Sequence, residues 1–409
     1  MTAVEAVLAR TFREDWARIV ATLISALADW DLAEECAQEA FAAALPAWRR
    51  DGIPDSPRAW LTTTARNRAV DRIRRARSGA AKERESAAAE TAELDVDLDA
   101  LDSGIADERL RLIYTCCHPA LSAEARVTLA LRTLCGLSTA EIARSFLVAE
   151  ATMAKRLVRA KQKIAVAGIP YRVPPAHLLP ERTAAVSAVI YLVFHEGYAA
   201  TSGSELIRAD LCAQAIRLAR LVADLMPDDP EVAGLHALLL LQHARRDARV
   251  DGQGTLIPLD EQDRSRWDAG MIHEGLTVVR WALRRERVGP YQLQALIAAC
   301  HATARTAEAT DWARIAELYD RLLDLVPSAT VRLNRAIAIA MRSGPDAGLA
   351  LLDTVGDHPL LSATRADLLR RLGRATEAAD HYREALQHTS NEAESRYVTR
   401  RLTDLDRQA

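Results

Sequence analysis

The side chains best suited to chemistry in this chain are cations set at helical spacing. Thr152, Lys155, Arg156, Arg159 and Lys163 line one side of the stretch Glu150–Ile164, and Met153, Leu157, Ala160 and Ile164 line the other. A helix divided in this way docks through its apolar side and offers hydrogen-bond donors to the major groove of a duplex. Just upstream, Ser138 and Glu141 have the spacing of a capping box, with Leu137 and Ile142 placed as a hydrophobic staple. The two stretches read as a helix-turn-helix. A three-helix bundle with a merely basic surface is the other reading of the same residues.

A second cationic helix is expected after the turn-rich loop Asp51–Pro57. Ser56 is placed to cap it and Pro57 to take its first position. Leu61, Ala65, Ala69, Val70 and Ile73 share its apolar side, while Asn67, Arg68, Asp71, Arg74 and Arg75 share the other and Arg66 fits neither cleanly. Arginine neutralises phosphate and donates in a fixed fork, so such a face suits a nucleic-acid backbone, and by residue type alone it equally suits solvent. Before it, Asp31 is expected to cap a helix with Glu34 three residues on. Ala37, Phe41, Leu45 and Trp48 are expected on the buried side, with Glu35, Gln38 and Glu39 pointing elsewhere. Trp60 reads as a core residue.

The elements that must hold these faces are helices. The chain has 409 residues, 49% apolar and only 5% aromatic, and Ala, Leu and Arg dominate, which favours an all-α fold in several domains. The net charge of −3 hides segregated blocks. Thr62–Arg77 holds six arginines and one acid, Ser78–Arg109 ten acids and three bases, and Glu141–Lys163 six bases and two acids. Four segments follow: a helical unit at 1–77, a flexible acidic linker at 78–105, a second helical unit at 106–167, and, after the Gly168-Ile-Pro170 and Pro174-Pro175 breaks, helices over 176–409.

The six cysteines form no C-x-x-C pair and no His/Cys cluster with zinc spacing, and adjacent Cys116 and Cys117 read as core thiols. No metal and no cofactor is expected. No nucleophile–base pair or phosphate loop points to catalysis, so an enzyme is not expected. No signal peptide and no membrane span are expected, and reduced cysteines fit a cytoplasmic setting.

Three motifs in order carry a family resemblance. Ala33-Glu-Glu-Cys-Ala-Gln-Glu-Ala-Phe41 is similar to A-E-D-x-x-Q-E-x-F, and Pro57-Arg-Ala-Trp-Leu-Thr-Thr-Thr-Ala-Arg-Asn-Arg-Ala-Val-Asp-Arg-Ile-Arg-Arg75 is similar to W-L-x-x-x-A-R-N-x-x-x-D-x-x-R-R. Leu137-Ser-Thr-Ala-Glu-Ile-Ala143 followed by Thr152-Met-Ala-Lys-Arg-Leu-Val-Arg-Ala-Lys161 is similar to L-S-x-x-E-I-A and T-V-K-S-R-L-x-R-A-R. Together they resemble the σ2 and σ4 domains of extracytoplasmic-function RNA polymerase sigma factors. The resemblance implies partners, core RNA polymerase (β′ clamp helices and β flap) and promoter DNA, and it implies roles. Glu35, Gln38 and Glu39 would meet the β′ clamp helices. Asn67, Asp71, Arg72, Arg74 and Arg75 would lie along the −10 element, with the Asp51–Pro57 loop beside an extruded base. Arg156, Arg159 and Lys161, with Thr152 and Lys155 beside them, would read the −35 element, and the acidic linker would occupy basic polymerase channels. The chain departs from the pattern at Leu147, where the family has Gly, at Ala149, where it has Ser, and at Ala154, where it has Lys.

More than half of the chain remains beyond residue 167. Apolar helices there end in Leu-x-Pro, at Leu225-Met-Pro227 and Leu325-Val-Pro327, and Arg371–Leu386 resembles a tetratricopeptide repeat. The layout is similar to the sigma-factor subgroup with a tetratricopeptide-like extension. From its size and repeat character the extension is expected to regulate in cis, in place of a separate anti-sigma factor, through contact with the sigma domains. A helix-turn-helix regulator with a ligand- or partner-sensing repeat domain is the alternative. His195 and Glu196 lack a second histidine four residues on, so Gly197 reads as a helix end rather than part of a zinc motif. The polar stretch Asp251–Trp267 reads as an inter-helix loop or as a contact surface.

Overall fold

The computed structural model describes residues 2–83, 105–146, 148–200, 205–285, 287–389 and 391–407. Among them are eighteen α-helices, short 3-10 turns, one π-helical turn and no strand, only an isolated bridge between Val250 and Leu256. The all-α expectation holds. The acidic linker at 78–105 falls largely outside the described residues, as does the departure at Leu147. No described helix is long and apolar enough to cross a membrane, and no described group of three or more His, Cys, Asp or Glu could hold a metal ion. The chain divides into two compact units, Met1–Val189 and Ile190–Ala409.

The first unit contains α1 (Ala3–Leu27), α2 (Trp30–Asp51), α3 (Pro57–Glu83), α4 (Ile105–Cys116), α5 (Ala123–Leu129), a π-helical turn at Ala130–Leu134, α6 (Thr139–Ser145), α7 (Glu150–Val166) and the first part of α8 (Leu179–Tyr198). A Thr2–Glu5 capping box opens α1. Ser56 caps α3 as expected, accepting from the Ala59 amide at 3.4 Å. The α2 start differs from expectation. Asp29 is its cap, accepting from the Leu32 amide at 3.0 Å, while Asp31 already lies within the helix.

Small residues let these helices approach closely. Ala33, Ala37, Ala40 and Ala44 are fully buried along α2, beside buried Phe41 and Trp48, and α2 packs against both α1 and α3. On α3, Leu61, Ala65 and Ala69 face inward. Half-buried Trp60 lies edge-on to Trp48, with ring centroids 5.6 Å apart. Cys116 and Cys117 are free, buried core thiols; burial pushes both up, Cys117 to about 12. Thiols held this far from the thiolate form are poor nucleophiles.

Gly136 shows how tightly α1 meets the segment after the π-helical turn. Its φ is +73°, and a Cβ there would sit 2.7 Å from Phe12 Cζ and 3.1 Å from Trp16 Cδ1. Gly136→Ala is therefore expected to destabilise the first unit by about 1–2 kcal/mol, from left-handed strain and forced movement of Phe12. A chemical-denaturation midpoint unchanged from wild type would refute this.

The second unit contains the end of α8, then α9 (Ala209–Leu225), α10 (Pro230–His243), α11 (Ala269–Leu283), α12 (Pro290–Thr303), α13 (Trp312–Leu325), α14 (Ala329–Ser343), α15 (Pro345–Leu352), α16 (Leu361–Arg371), α17 (Ala375–His388) and α18 (Glu392–Asp406). Most neighbours in sequence pack on one another. The Leu-x-Pro signal marks helix ends, since α9 and α13 stop at Leu225 and Leu325, two residues before their prolines. Gly197 lies at the end of α8, as expected, and has a packing role there as well. It lies in the last turn of α8 without a positive φ, where a Cβ would meet Cys212 N at 2.7 Å and Leu211 Cβ at 2.8 Å. Close passage of α9 therefore demands glycine. Glu196 forms an ion pair with Arg208 at 2.6 Å.

The Asp251–Trp267 loop is an ordered strap. Asp251 accepts from the Gln253 and Thr255 amides at 2.9 and 2.8 Å. Arg371 of α16 pairs with Asp260 at 2.7 Å, Arg401 of α18 pairs with Glu261, and Arg396 donates to the Gly254 carbonyl at 3.0 Å.

Candidate nucleic-acid interface

Helix α7 is built as its spacing predicts. Met153, Leu157, Ala160 and Ile164 are buried, while Thr152, Lys155, Arg159 and Lys163 are exposed. α6 packs against it and opens with the expected capping box. Ser138 Oγ accepts from the Glu141 amide at 3.2 Å, and the Glu141 carboxylate accepts from the Ser138 amide at 2.7 Å. The Ser138 hydroxyl, which also donates to that carboxylate at 2.7 Å, and then the Ser138 amide hold the Glu141 carboxyl below its ordinary range. Leu137 and Ile142 are both buried. Ala149 caps α7 through its backbone alone, its carbonyl accepting from Thr152 and Met153 at 2.9 and 3.1 Å. The lost serine thus removes a side-chain cap and leaves the helix start in place. Arg156 is half-buried and pairs with Glu124 of α5 at 2.5 Å.

Helix α3 carries the second basic face. Asn67, Asp71, Arg74 and Arg75 are exposed and have no side-chain partner among the described residues. Arg72 differs, since its guanidinium spans Glu35 and Glu39 of α2. Arg68 reaches Glu39 at 2.9 Å. These bonds hold the Glu39 carboxyl below its ordinary range, the Arg68 hydrogen bond first among them. The expected polymerase-facing acids and one expected −10 residue therefore form one cross-helix cluster.

The third set divides. Lys161, read as facing DNA, turns inward. Its Nζ lies 2.6 Å from Asp31 and 3.2 Å from Glu34, and it is only 14% exposed. Glu34, expected to serve a capping box, is instead 2% exposed at a junction of three elements. Its Oε1 accepts from Thr133 Oγ1 at 2.9 Å, and its Oε2 accepts from Arg132 Nε at 3.0 Å as well as from Lys161. Arg132 also donates to the Leu137 carbonyl at 3.1 Å. Gln38, with its amide oxygen turned toward Arg132, accepts from Nη1 and Nη2 at 3.1 and 2.9 Å. Trp16 Nε1 adds a bond to the Thr133 carbonyl at 3.0 Å.

The π-helical turn makes this junction possible, because it points consecutive Arg132 and Thr133 side chains at one carboxylate. Spacing did carry a signal for Glu34. It falls on the stripe Trp30, Glu34, Ala37, Phe41, and an acid on an apolar stripe requires buried partners. Nothing in the spacing marked Arg132 or Thr133 as those partners.

The arrangement offers two solvent-facing cationic surfaces on rigid helices and an acidic, partly neutralised edge on α2. It can bind polyanions, and within these surfaces it presents no nucleophile paired with a base.

Residues 8–79 match the family Sigma-70 region 2, residues 111–164 match Sigma-70, region 4, and residues 182–283 match a family of unknown function (DUF6596). An uncharacterized protein of Rhizobium meliloti (strain 1021) is 45% identical over 388 residues, covering 92% of this chain and 90% of that protein. The ECF RNA polymerase sigma factor SigK of Mycobacterium ulcerans (strain Agy99) is 34% identical over 145 residues, covering 34% of this chain and 74% of that protein.

Proposed function

The chain belongs to the sigma-70 family, and from that premise we propose that it is an initiation subunit of the extracytoplasmic-function type: it binds core RNA polymerase, places α3 along the −10 element and α7 along the −35 element, and performs no chemistry of its own. The observation that carries this reading is α7, whose Met153, Leu157, Ala160 and Ile164 are buried while Thr152, Lys155 and Arg159 stand free to solvent.

In this reading Glu35, Gln38 and Glu39 on α2 face the β′ clamp helices, and Asn67, Asp71, Arg72, Arg74 and Arg75 follow the −10 element. Thr152, Lys155, Arg156 and Arg159 read the −35 element, and Lys161 joins them once Asp31 and Glu34 release it. Segment 1–77 serves polymerase and −10 binding, 106–167 serves −35 binding, and 78–105 tethers the two. The tetratricopeptide-like extension over 176–409 regulates initiation in cis.

Run-off transcription with purified core enzyme tests the central claim. The full chain is expected to stimulate transcription from its cognate promoter, and an absence of stimulation across a genomic promoter library overturns it. Arg159→Glu is expected to reduce promoter-directed transcription roughly 10- to 100-fold, because a lost base or phosphate contact is joined by repulsion. Its exposed position leaves unfolding unchanged. Wild-type transcription by the variant would remove α7 from the DNA interface.

A further inference from the structure

The second unit holds a cavity of about 270 Å³, walled by α8, α10, α12, α13 and α14. This is slightly under the roughly 300–1,000 Å³ of drug-sized ligand sites, so its occupant must be small. Its apolar surface comes from Phe194, Leu238 and Ile297 and from the rings of Tyr191, Tyr198 and Tyr319. No Asp, Glu, Lys or Arg is among the described lining residues. The polar part of the lining offers both donors and acceptors. The hydroxyls of Tyr191 and Tyr319 and the carboxamide of Asn334 have no hydrogen-bond partner among the described residues. Gln294 donates to the Pro290 carbonyl at 3.4 Å, and its Oε1 accepts from no described residue. Polar groups within a helical core are ordinarily paired, so open ones gathered on one wall call for an occupant that pairs with them.

The surroundings set the charge of that occupant. Arg245 and Arg249 stand behind the Tyr198 part of the wall. Arg245 Nη2 donates to the Tyr198 hydroxyl and, at 2.5 Å, to Gln242 Oε1, which also accepts from the Tyr198 hydroxyl at 3.0 Å. With that nitrogen committed, Arg245 offers no two-pronged fork to an anion. Arg249 rests on the Tyr198 ring at 3.5 Å, and Tyr198 stacks on Phe194 with centroids 5.5 Å apart. The two guanidiniums repel a cation and already occupy the ring that would attract one. A charged ligand of either sign would give up its water without gaining a counter-ion, and a neutral one meets no such cost.

We propose that this cavity is a binding site for a small uncharged aromatic amide, whose ring lies among Tyr191, Phe194 and Tyr319 and whose amide group pairs with the Asn334 carboxamide. An amide sets a donor beside an acceptor, as the Asn334 side chain does, so the two exchange parallel hydrogen bonds, and the tyrosine hydroxyls and Gln294 Oε1 take the remaining ones. The flat ring supplies the apolar area that the aromatic wall covers. The site lies wholly within the second unit and does not rest on how the sigma domains act.

The test uses the full-length chain and three probes of one shape: benzamide, benzoate and benzamidine, which are neutral, anionic and cationic at neutral pH. Ligand-observed NMR and calorimetry read the binding. Saturable, one-to-one benzamide binding is expected, with both ions at least tenfold weaker. Asn334→Leu removes the pairing amide and is expected to weaken benzamide at least tenfold. Tyr319→Phe keeps the ring and removes only its hydroxyl, so it serves even where the first variant misfolds; it is expected to weaken benzamide about threefold or more with an unchanged melting midpoint. Absence of saturable benzamide binding, benzoate or benzamidine binding as tightly as benzamide, or wild-type affinity in both variants overturns the proposal.

Discussion

Glu34→Ala is expected to cost the first unit about 3–5 kcal/mol, the loss seen when one member of a buried ionic cluster is removed. Glu34 is 2% exposed and accepts from Thr133, Arg132 and Lys161 at 2.9, 3.0 and 3.2 Å. Removing the carboxylate strands the Arg132 guanidinium beneath the surface and leaves the Thr133 hydroxyl without its acceptor. Lys161→Met should cost much less, because Asp31 is exposed and Glu34 keeps its other two donors. Urea unfolding of the two variants and of their combination measures this, and in a double-mutant cycle the two changes should couple. A Glu34→Ala loss below about 1 kcal/mol would mean that the junction is held by the Phe12–Trp16–Phe41 aromatic cluster instead.

The second unit is expected to lose stability steeply in mild acid. His236 and His243 are buried in α10, and His301 is half-buried beside Trp312. Burial lowers each imidazole, the first two to about 4 and His301 to about 3, with Arg220, Arg246 and Arg245 adding repulsion in turn. The folded values lie below the unfolded value near 6.5, so below that pH the unfolded chain takes up protons that the native chain refuses. The stabilisation is complete above about pH 6.5 and is lost as pH falls toward 4. Each histidine contributes about 1.4 kcal/mol per pH unit inside that window. Glu231 works in the opposite sense, because burial raises its carboxyl. Thermal melts of the full chain from pH 7.5 to 5 should show the second-unit transition falling, and His243→Gln should flatten the slope. An unaltered slope in that variant would exclude His243 as a source.

Much of the fold was legible because amphipathic spacing and capping are local. Ser138 and Glu141 cap α6 as their three-residue spacing requires, and all four apolar positions assigned to α7 are buried. The cationic faces were legible for the same reason. The fate of Lys161 was not, since its position on α7 is compatible with either side, and the acid that takes it lies 127 residues away in sequence. The cap of α2 was misplaced because Asp29 and Asp31 are both competent caps, and the one further back wins by freeing Glu34 for its buried partners. The packing role of Gly197 escaped too, because close passage of another helix leaves no mark on its own segment.

The strap between α10 and α11 bears on how the second unit is made. In a simple solenoid each repeat answers only to its neighbours, and the array can grow one unit at a time. Here the last helix reaches back almost the full length of the unit. Arg401 and Arg396 hold the strap, and Asn391 donates to the carbonyls of Ala200 and Glu205 at 3.0 and 3.1 Å. A nascent chain that lacks α18 therefore leaves both the strap and the start of the unit without their partners. Closure must wait until the final helix has left the ribosome, and a chain released early at that point exposes its unfinished edges to proteases.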